Sequence, residues 1–381
     1  MANAGEMRTG YVYHELFGWH DTGSAGGLFP SDPRRGVQPM WHFEHPDTKR
    51  RIHELVVVSG LIEALERIPP RPATVEELGR VHSPDYLDRI RQQSDLPRGG
   101  DAGDGITPFA AGGYQIAALA AGAVLTATEA VLAGHVRAAY ALVRPPGHHA
   151  LPDTGMGFCV FNNIAVAIRH ARALGVRRIA VVDWDVHHGN GTQAIFYDDP
   201  DVLTVSVHQD NVFPLDSGGL DERGTGPGFG YAVNVPLPPG TGDGGYRYAM
   251  RTICAPALRR FRPELIMVAC GYDAGAMDQM GRQIVTSDGF AELTAALLAV
   301  ADEVCDGRVV FSHEGGYNPA HVPFCALAVL STLAGRTMPV PDPFHPLLSA
   351  MAGQELQPAQ QAAIDKVAIA LDDIRAEAHP V

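Results

Sequence analysis

Six short apolar runs, each followed by a polar or turn-forming stretch and spaced by helix-patterned segments, constrain this chain more than any other feature. They lie at 138–143, 179–182, 202–207, 231–235, 265–270 and 308–311. Helical spacing marks about 163–174, 190–197, 244–260 and 288–304, with another helix at 319–334. Continuous apolar strands are buried on both faces, and strands alternating with helices pair in parallel. The fold class is therefore α/β, a mainly parallel central sheet with helices on both faces. No linker, repeat or composition break divides it, so 1–381 reads as a single domain. In open α/β sheets the chemistry gathers where the strands end, so the site is expected at their C-terminal edge.

Around this frame, 1–47 is a loop-rich N-terminal segment, in which 11–45 forms a long loop suited to walling a pocket or meeting another subunit. Helices are expected over 48–65, from Ser83-Pro84 (a hydroxyl N-cap and a proline at N1), over the Ala-rich 114–132, and over 355–376 at the surface. Residues 96–108 read as loop. The formal charge of −14 argues against nucleic acid or an anionic membrane as a direct partner. No secretion signal is recognisable and no uninterrupted apolar run reaches bilayer length. The five cysteines (Cys159, Cys254, Cys270, Cys305, Cys325) are scattered and mostly in apolar runs, which suits reduced, buried thiols in a cytoplasmic protein.

The stretches directly after the strands carry the function. After 143 comes Arg144-Pro145-Pro146-Gly147-His148-His149; after 182 come Asp183, Asp185, His187 and His188; after 207, His208 and then Phe213-Pro214. After 270 comes Gly271-Tyr272-Asp273-Ala274, and after 311, His313-Glu314-Gly315-Gly316-Tyr317. Each stretch alone is weak, but parallel strands bring all five to one crevice. Alternation in an extended segment would point Asp183, Asp185 and His187 the same way. Asp185 and His187 offer oxygen and nitrogen to a divalent metal, and Asp273 is the natural third ligand. Taken alone, Asp273 reads as well as a turn or capping aspartate. Three protein ligands with a place left for water is the catalytic pattern rather than the closed structural one.

The His148–His149 pair has two orienting partners available, Asp183 and Asn190, and a partner that fixes an imidazole tautomer is the usual support of a general base. Tyr317, aimed by the preceding glycines, can donate to an oxyanion without ionising. Gly157-Phe158 and Phe213 supply walls for an aliphatic chain, although core packing accounts equally well for either phenylalanine alone. Together the parts describe metal-assisted hydrolysis of an amide or ester. The Gly-rich stretches lack phosphate-loop spacing, and there is no Gly-x-Ser-x-Gly elbow.

Arg-Pro-Pro-Gly-His-His, Gly-Phe-Cys-x-Phe-Asn-Asn, Asp-Trp-Asp-Val-His-His-Gly-Asn-Gly-Thr-Gln, Gly-Tyr-Asp-Ala and Glu-Gly-Gly-Tyr-Asn, in that order, resemble the zinc-dependent histone deacetylase family. The likeness runs over about 10–333. Gly189-Asn190-Gly191 resembles the class II branch, and Trp19-His20-Asp21-Thr22-Gly23 the bacterial histone deacetylase-like amidohydrolases. The resemblance implies an arginase/deacetylase fold and one Zn²⁺ per chain on Asp185, His187 and Asp273. It implies a His148–His149 dyad oriented by Asp183 and Asn190 respectively, with His149 as proton shuttle and Tyr317 on the carbonyl oxygen. It also implies structural K⁺, held by Asp183, Asp185, His187, Ser206 and Val207 at one site and by Phe196, Asp199, Val202 and Tyr231 at another.

Polyamine-selective relatives place a Glu gatekeeper where this chain has Met280, which lowers acetylpolyamine as substrate. The expected reaction is removal of acetyl or a related acyl group from an acylated amine such as acetyl-lysine, with acetylpolyamine hydrolysis as the alternative. A two-metal arginase-like ureohydrolase is less favoured, and two tightly bound Mn²⁺ would mark it. A binder without turnover is disfavoured by the intact His148, His149 and Tyr317. A homo-oligomer, dimer or tetramer, is the expected assembly.

Overall fold

The computed structural model describes residues 8–374. Eight strands form one sheet: β1 (Thr9–Val12), β2 (Leu65–Arg67), β3 (Ala138–Ala141), β4 (Ile179–Asp183), β5 (Val202–Gln209), β6 (Ala232–Leu237), β7 (Leu265–Cys270) and β8 (Val309–His313). Their order is β6-β5-β4-β7-β8-β3-β1-β2, and every pairing is parallel. The six strands read from the apolar runs are all present. β1 and β2 are additions to that reading: Thr9–Val12 falls in the segment read as loop, and Leu65–Arg67 at the end of a segment read as helix. Both are short strands at one side of the sheet, too brief to show a period of their own.

Alternate residues of β4 feed the two layers. Ala180 and Val182 pack with the helices at 243–261, 287–305 and 322–333, whereas Ile179 and Val181 pack with Gly113–Leu132 and Asn163–Ala173. The helix expected over 48–65 ends at Val58 and is followed by a 3-10 turn, Leu61–Ala64, because Gly60 sits left-handed at φ 80°. Ser83 caps Pro84–Ser94 by accepting the Tyr86 N–H, as its sequence position suggests. The surface helix expected over 355–376 is an α-helix only from Pro358 to Val367, continued by a 3-10 turn to Asp373; positions 375 and 376 lie outside the described residues.

Gly113–Leu132 is long and apolar enough in length and composition to cross a bilayer, although Gln115, Thr126 and Glu129 interrupt its apolar run. Yet 78% of its most apolar window is buried, so it serves as a core helix. All five cysteines are free and buried.

Candidate active site

β4 ends at Asp183, so strand alternation does not extend to Asp185 and His187. A different local device groups them. The Asp183 carboxylate accepts the Asp185 N–H at 3.0 Å, and that of Asp185 accepts the His187 N–H at 2.9 Å. Two successive aspartate-capped turns thus fold the segment back on itself. Asp273, on the loop just beyond the end of β7 at Cys270, arrives from the side and accepts the Val186 N–H at 2.8 Å. His187 Nδ1 lies 3.0 Å from Asp185 Oδ1 and 3.1 Å from Asp273 Oδ2. Gly315 donates its N–H to Asp185 Oδ2 at 2.8 Å, and a Cβ there would come within 2.1 Å of Asp273, so only glycine fits.

Ligand atoms of Asp185, His187 and Asp273 lie within 4.8 Å of one another, all three residues being buried. Burial, reinforced by the carboxylate of Asp185, pushes Asp273 up to about 7. Burial also opposes ionisation of Asp185, but His148 and His187 hold it below the usual carboxylate range. Packing two acids into one water-poor spot is unfavourable unless a cation is shared between them. A divalent cation would satisfy both carboxylates and the imidazole at once, and the mixed oxygen and nitrogen donor set suits zinc. The residues fit a metal.

The histidine pair stands beside this cluster. His148 Nδ1 is 2.9 Å from Asp183 Oδ2, and His149 Nδ1 is 2.7 Å from Asn190 Oδ1. The Asn190 amide nitrogen is turned to Met156 Sδ, which leaves its oxygen facing His149. An amide oxygen only accepts, so His149 carries its proton on Nδ1 and its Nε2 is the free acceptor. Burial opposes charge on His148, but Asp183 and Asp185 outweigh it and raise the imidazole to about 10. Burial, then the adjacent His148 and His187, push His149 well below its ordinary value. One ring therefore stays protonated while its neighbour is left neutral, with Nε2 free to accept a proton from elsewhere.

Tyr317 is buried. Its N–H donates to Asp278 Oδ2 at 2.6 Å, and its carbonyl accepts from Gln279. Met280 donates its N–H to the other Asp278 oxygen at 2.9 Å. Phe158 meets the Tyr317 ring edge-on at 5.6 Å, and Phe213 meets His149 edge-on at 5.2 Å. Gly157 lies between, at φ 55°, where a Cβ would strike both His149 and Phe213. The structure thus brings all the predicted wall residues to the cluster.

The positions assigned to potassium fall on β4, β5 and the segments flanking β4, β5 and β6. Ser206 is in register with Asp183, and Val207 follows it. Phe196, Asp199 and Tyr231 accept main-chain bonds from Asp199, Val202 and Thr204. The Asp199 carboxylate is engaged by Arg169 and Arg172, so it is not a free ligand. His188 bonds Ser217 and Gln193 rather than any group of the cluster.

Sequence reasoning gave no task to Glu314, Asp278 or Glu44. Glu314 Oε2 accepts the N–H groups of Gly147 and His148 at 2.6 and 3.1 Å, fixing the turn that presents the histidines. Glu44, fully buried, meets Arg144 Nε at 2.8 and 2.9 Å. The available signal was a charge set among apolar or aromatic neighbours, as with Glu314 directly after β8.

A parallel sheet with buried acids, imidazoles and a phenol at its carboxyl edge is an arrangement able to carry metal-assisted hydrolysis, and comparison with known proteins places the chain in a family. The histone deacetylase domain model matches residues 42–333. A histone deacetylase-like amidohydrolase of Pseudomonas aeruginosa is 48% identical over 342 residues, covering 89% of each chain. A probable deacetylase of Archaeoglobus fulgidus is 37% identical, covering 86% of this chain and 87% of its own. The crystal structure of the HDA15 HD domain superposes with a TM-score of 0.82 at 32% identity, over 96% of both chains. This chain belongs to the histone deacetylase family.

Proposed function

We propose that the protein is a Zn²⁺-dependent amide hydrolase that removes acetyl, or a related short acyl group, from an acylated primary amine of the ε-acetyl-lysine kind. The observation that carries this reading is the unequal histidine pair beside the Asp185–His187–Asp273 donor set. A metal held by those three residues would supply Lewis acidity toward the carbonyl and toward water. Phe158, Phe213 and Gly157 hold the aliphatic stem and exclude bulk water. His149 Nε2 takes a proton from the attacking water as its oxygen bonds to the carbonyl carbon, and Asn190 keeps the ring in the accepting tautomer. The protonated His148, anchored on Asp183, offsets the developing negative charge. Tyr317 donates its phenolic hydrogen bond to the carbonyl oxygen as that oxygen becomes anionic. When the C–N bond breaks, His149 returns its proton to the leaving amine, giving the carboxylic acid and the amine, and the acid's proton then passes to the amine to leave carboxylate and ammonium.

Met280, half-buried on the Asp278 loop, offers no charge to a polyamine, which favours the lysine-like substrate over acetylpolyamine. The potassium positions at β4 and β5 and a homo-oligomeric assembly complete the proposal. The test is Tyr317→Phe, expected to lower kcat about 10²- to 10³-fold with metal content unchanged. Near-full activity would remove Tyr317 from the oxyanion role. A turnover screen of acetyl-lysine peptides against acetylpolyamines tests the substrate: faster hydrolysis of the polyamines would reverse the preference.

A further inference from the structure

Of the 29 lysines and arginines only Lys49 and Lys366 are lysines, and Lys49 is fully buried in the helix Asp47–Val58. Its Nζ lies 3.4 Å from Glu44 Oε1. Glu44, however, is already matched by Arg144, whose Nε stands 2.8 and 2.9 Å from its two oxygens. Two cations thus share one carboxylate, and Lys49 is the surplus charge. Burying an unmatched ammonium is strongly disfavoured, so its retention calls for another partner. The Asp273 carboxylate acts on it at longer range, and the ring it faces is that of Tyr317: Lys49 Nζ sits 5.8 Å over the ring centroid, within cation–π range. Tyr317 is otherwise held by its main chain, through Asp278 and Gln279, and by the ring of Phe158.

We infer that Lys49 is a positioning residue for Tyr317, its ammonium fixing the ring against Phe158 and polarising the phenol toward hydrogen-bond donation. The inference rests on the reading of Tyr317 as the oxyanion donor. A positive charge on the ring face stabilises the electron density that collects on the phenolic oxygen as its hydrogen moves toward the substrate. The contribution therefore grows as the oxyanion forms, and it acts on kcat rather than on substrate binding.

A double-mutant cycle on the metal-loaded enzyme tests this, using the parent, Lys49→Met, Tyr317→Phe and the pair. In the parent background Lys49→Met is expected to lower kcat roughly tenfold with KM within about twofold, and Lys49→Arg to recover most of the loss. In the Tyr317→Phe background the same change is expected to cost less than about twofold. Equal losses in both backgrounds, or a loss confined to KM, would overturn the inference while leaving Tyr317 in its role. A fully active Tyr317→Phe would overturn that role and the inference together. Thermal unfolding checks each variant. Should Lys49→Met not fold, Lys49→Gln and Lys49→Arg decide the matter, since equal kcat in the two removes any role for the charge.

Discussion

At the amino ends of β1 and β3, Thr9 and Ala138 open onto a cleft of about 740 Å³ in which Arg8, Arg137 and Arg336 mingle with Glu63 and Asp302. At the carboxyl ends of the same sheet Asp183, Asp185, Asp273 and Glu314 are buried with His148, His149 and His187. The amino edge has volume and hydrated charges, and its Arg137–Asp302 pair is about half exposed on both sides. The carboxyl edge has charge where water is scarce. Low dielectric makes each buried acid and imidazole feel its neighbours strongly, so their proton affinities separate, as those of His148 and His149 do. Space alone does not mark the site; charge held against its own desolvation does.

The sharpest way to break this contrast is to remove one acid from the carboxyl edge. Asp185→Asn deletes a donor oxygen's charge from the triad and is expected to abolish metal retention. Turnover should fall by more than the roughly 10³-fold that a single oxyanion donor supports. Metal analysis beside a kcat measurement checks it, and a metal-free but active variant would refute the ligand assignment. A step outward, Asp278→Asn weakens the bonds to the Tyr317 and Met280 N–H groups without touching the triad. Its expected cost is about 10- to 100-fold in kcat with metal retained, as for other outer supports of a reacting group. If metal is lost instead, the loop belongs to the ligand cluster and not to the phenol.

How far the sequence revealed these two edges depends on the make-up of each. The six apolar strands were legible because β3 to β8 are mostly central, and near-continuous Val, Ile, Leu and Ala runs announce burial on both faces. β1 and β2 were not, since four and three residues at the side of a sheet carry no period. The candidate site was legible for a different reason: imidazoles and carboxylates directly after apolar strands are costly to bury and seldom stand there for packing alone. Asp185, His187 and Asp273 do lie together, but pleat alternation is not the cause: side-chain to main-chain turns at Asp183 and Asp185 fold the segment so that its donors meet. Glu314, Asp278 and Glu44 escaped because each serves main-chain N–H groups or a distant cation, and such partners leave no mark in local spacing.

Glu44 extends the contrast from catalysis to stability. Burial works against its ionised form, but Arg144 and Lys49 outweigh burial and hold the carboxyl below its usual value of 4.5. A carboxyl depressed in the folded state adds stability that is fully present above the unfolded value and is lost as pH falls through the folded one. Glu44→Gln leaves two buried cations without their anion, and is expected to cost about 3–5 kcal/mol at neutral pH. Urea unfolding at pH 7 and at pH 4 reads both parts. The variant is less stable at pH 7, and its further loss on acidification is smaller than that of the parent. A variant with the parent's acid sensitivity would show that Glu44 is not ionised in the fold.

The smallest effect belongs to the opposite edge. Arg137 and Asp302 pair across the mouth of the amino-edge cleft, each about half exposed. Water already screens such a pair, and ordering two long side chains offsets part of the attraction. Arg137→Ala is therefore expected to cost at most about 1 kcal/mol, less at high salt. The substitution lies at the far end of strands whose carboxyl ends carry the site, and no described hydrogen bond links it to His148, His149 or Tyr317. Turnover should stay within about twofold of the parent. A kcat loss comparable to that of Asp278→Asn, with stability unchanged, would mean that the two edges are coupled through the sheet, and the contrast between them would have to be redrawn as a linkage.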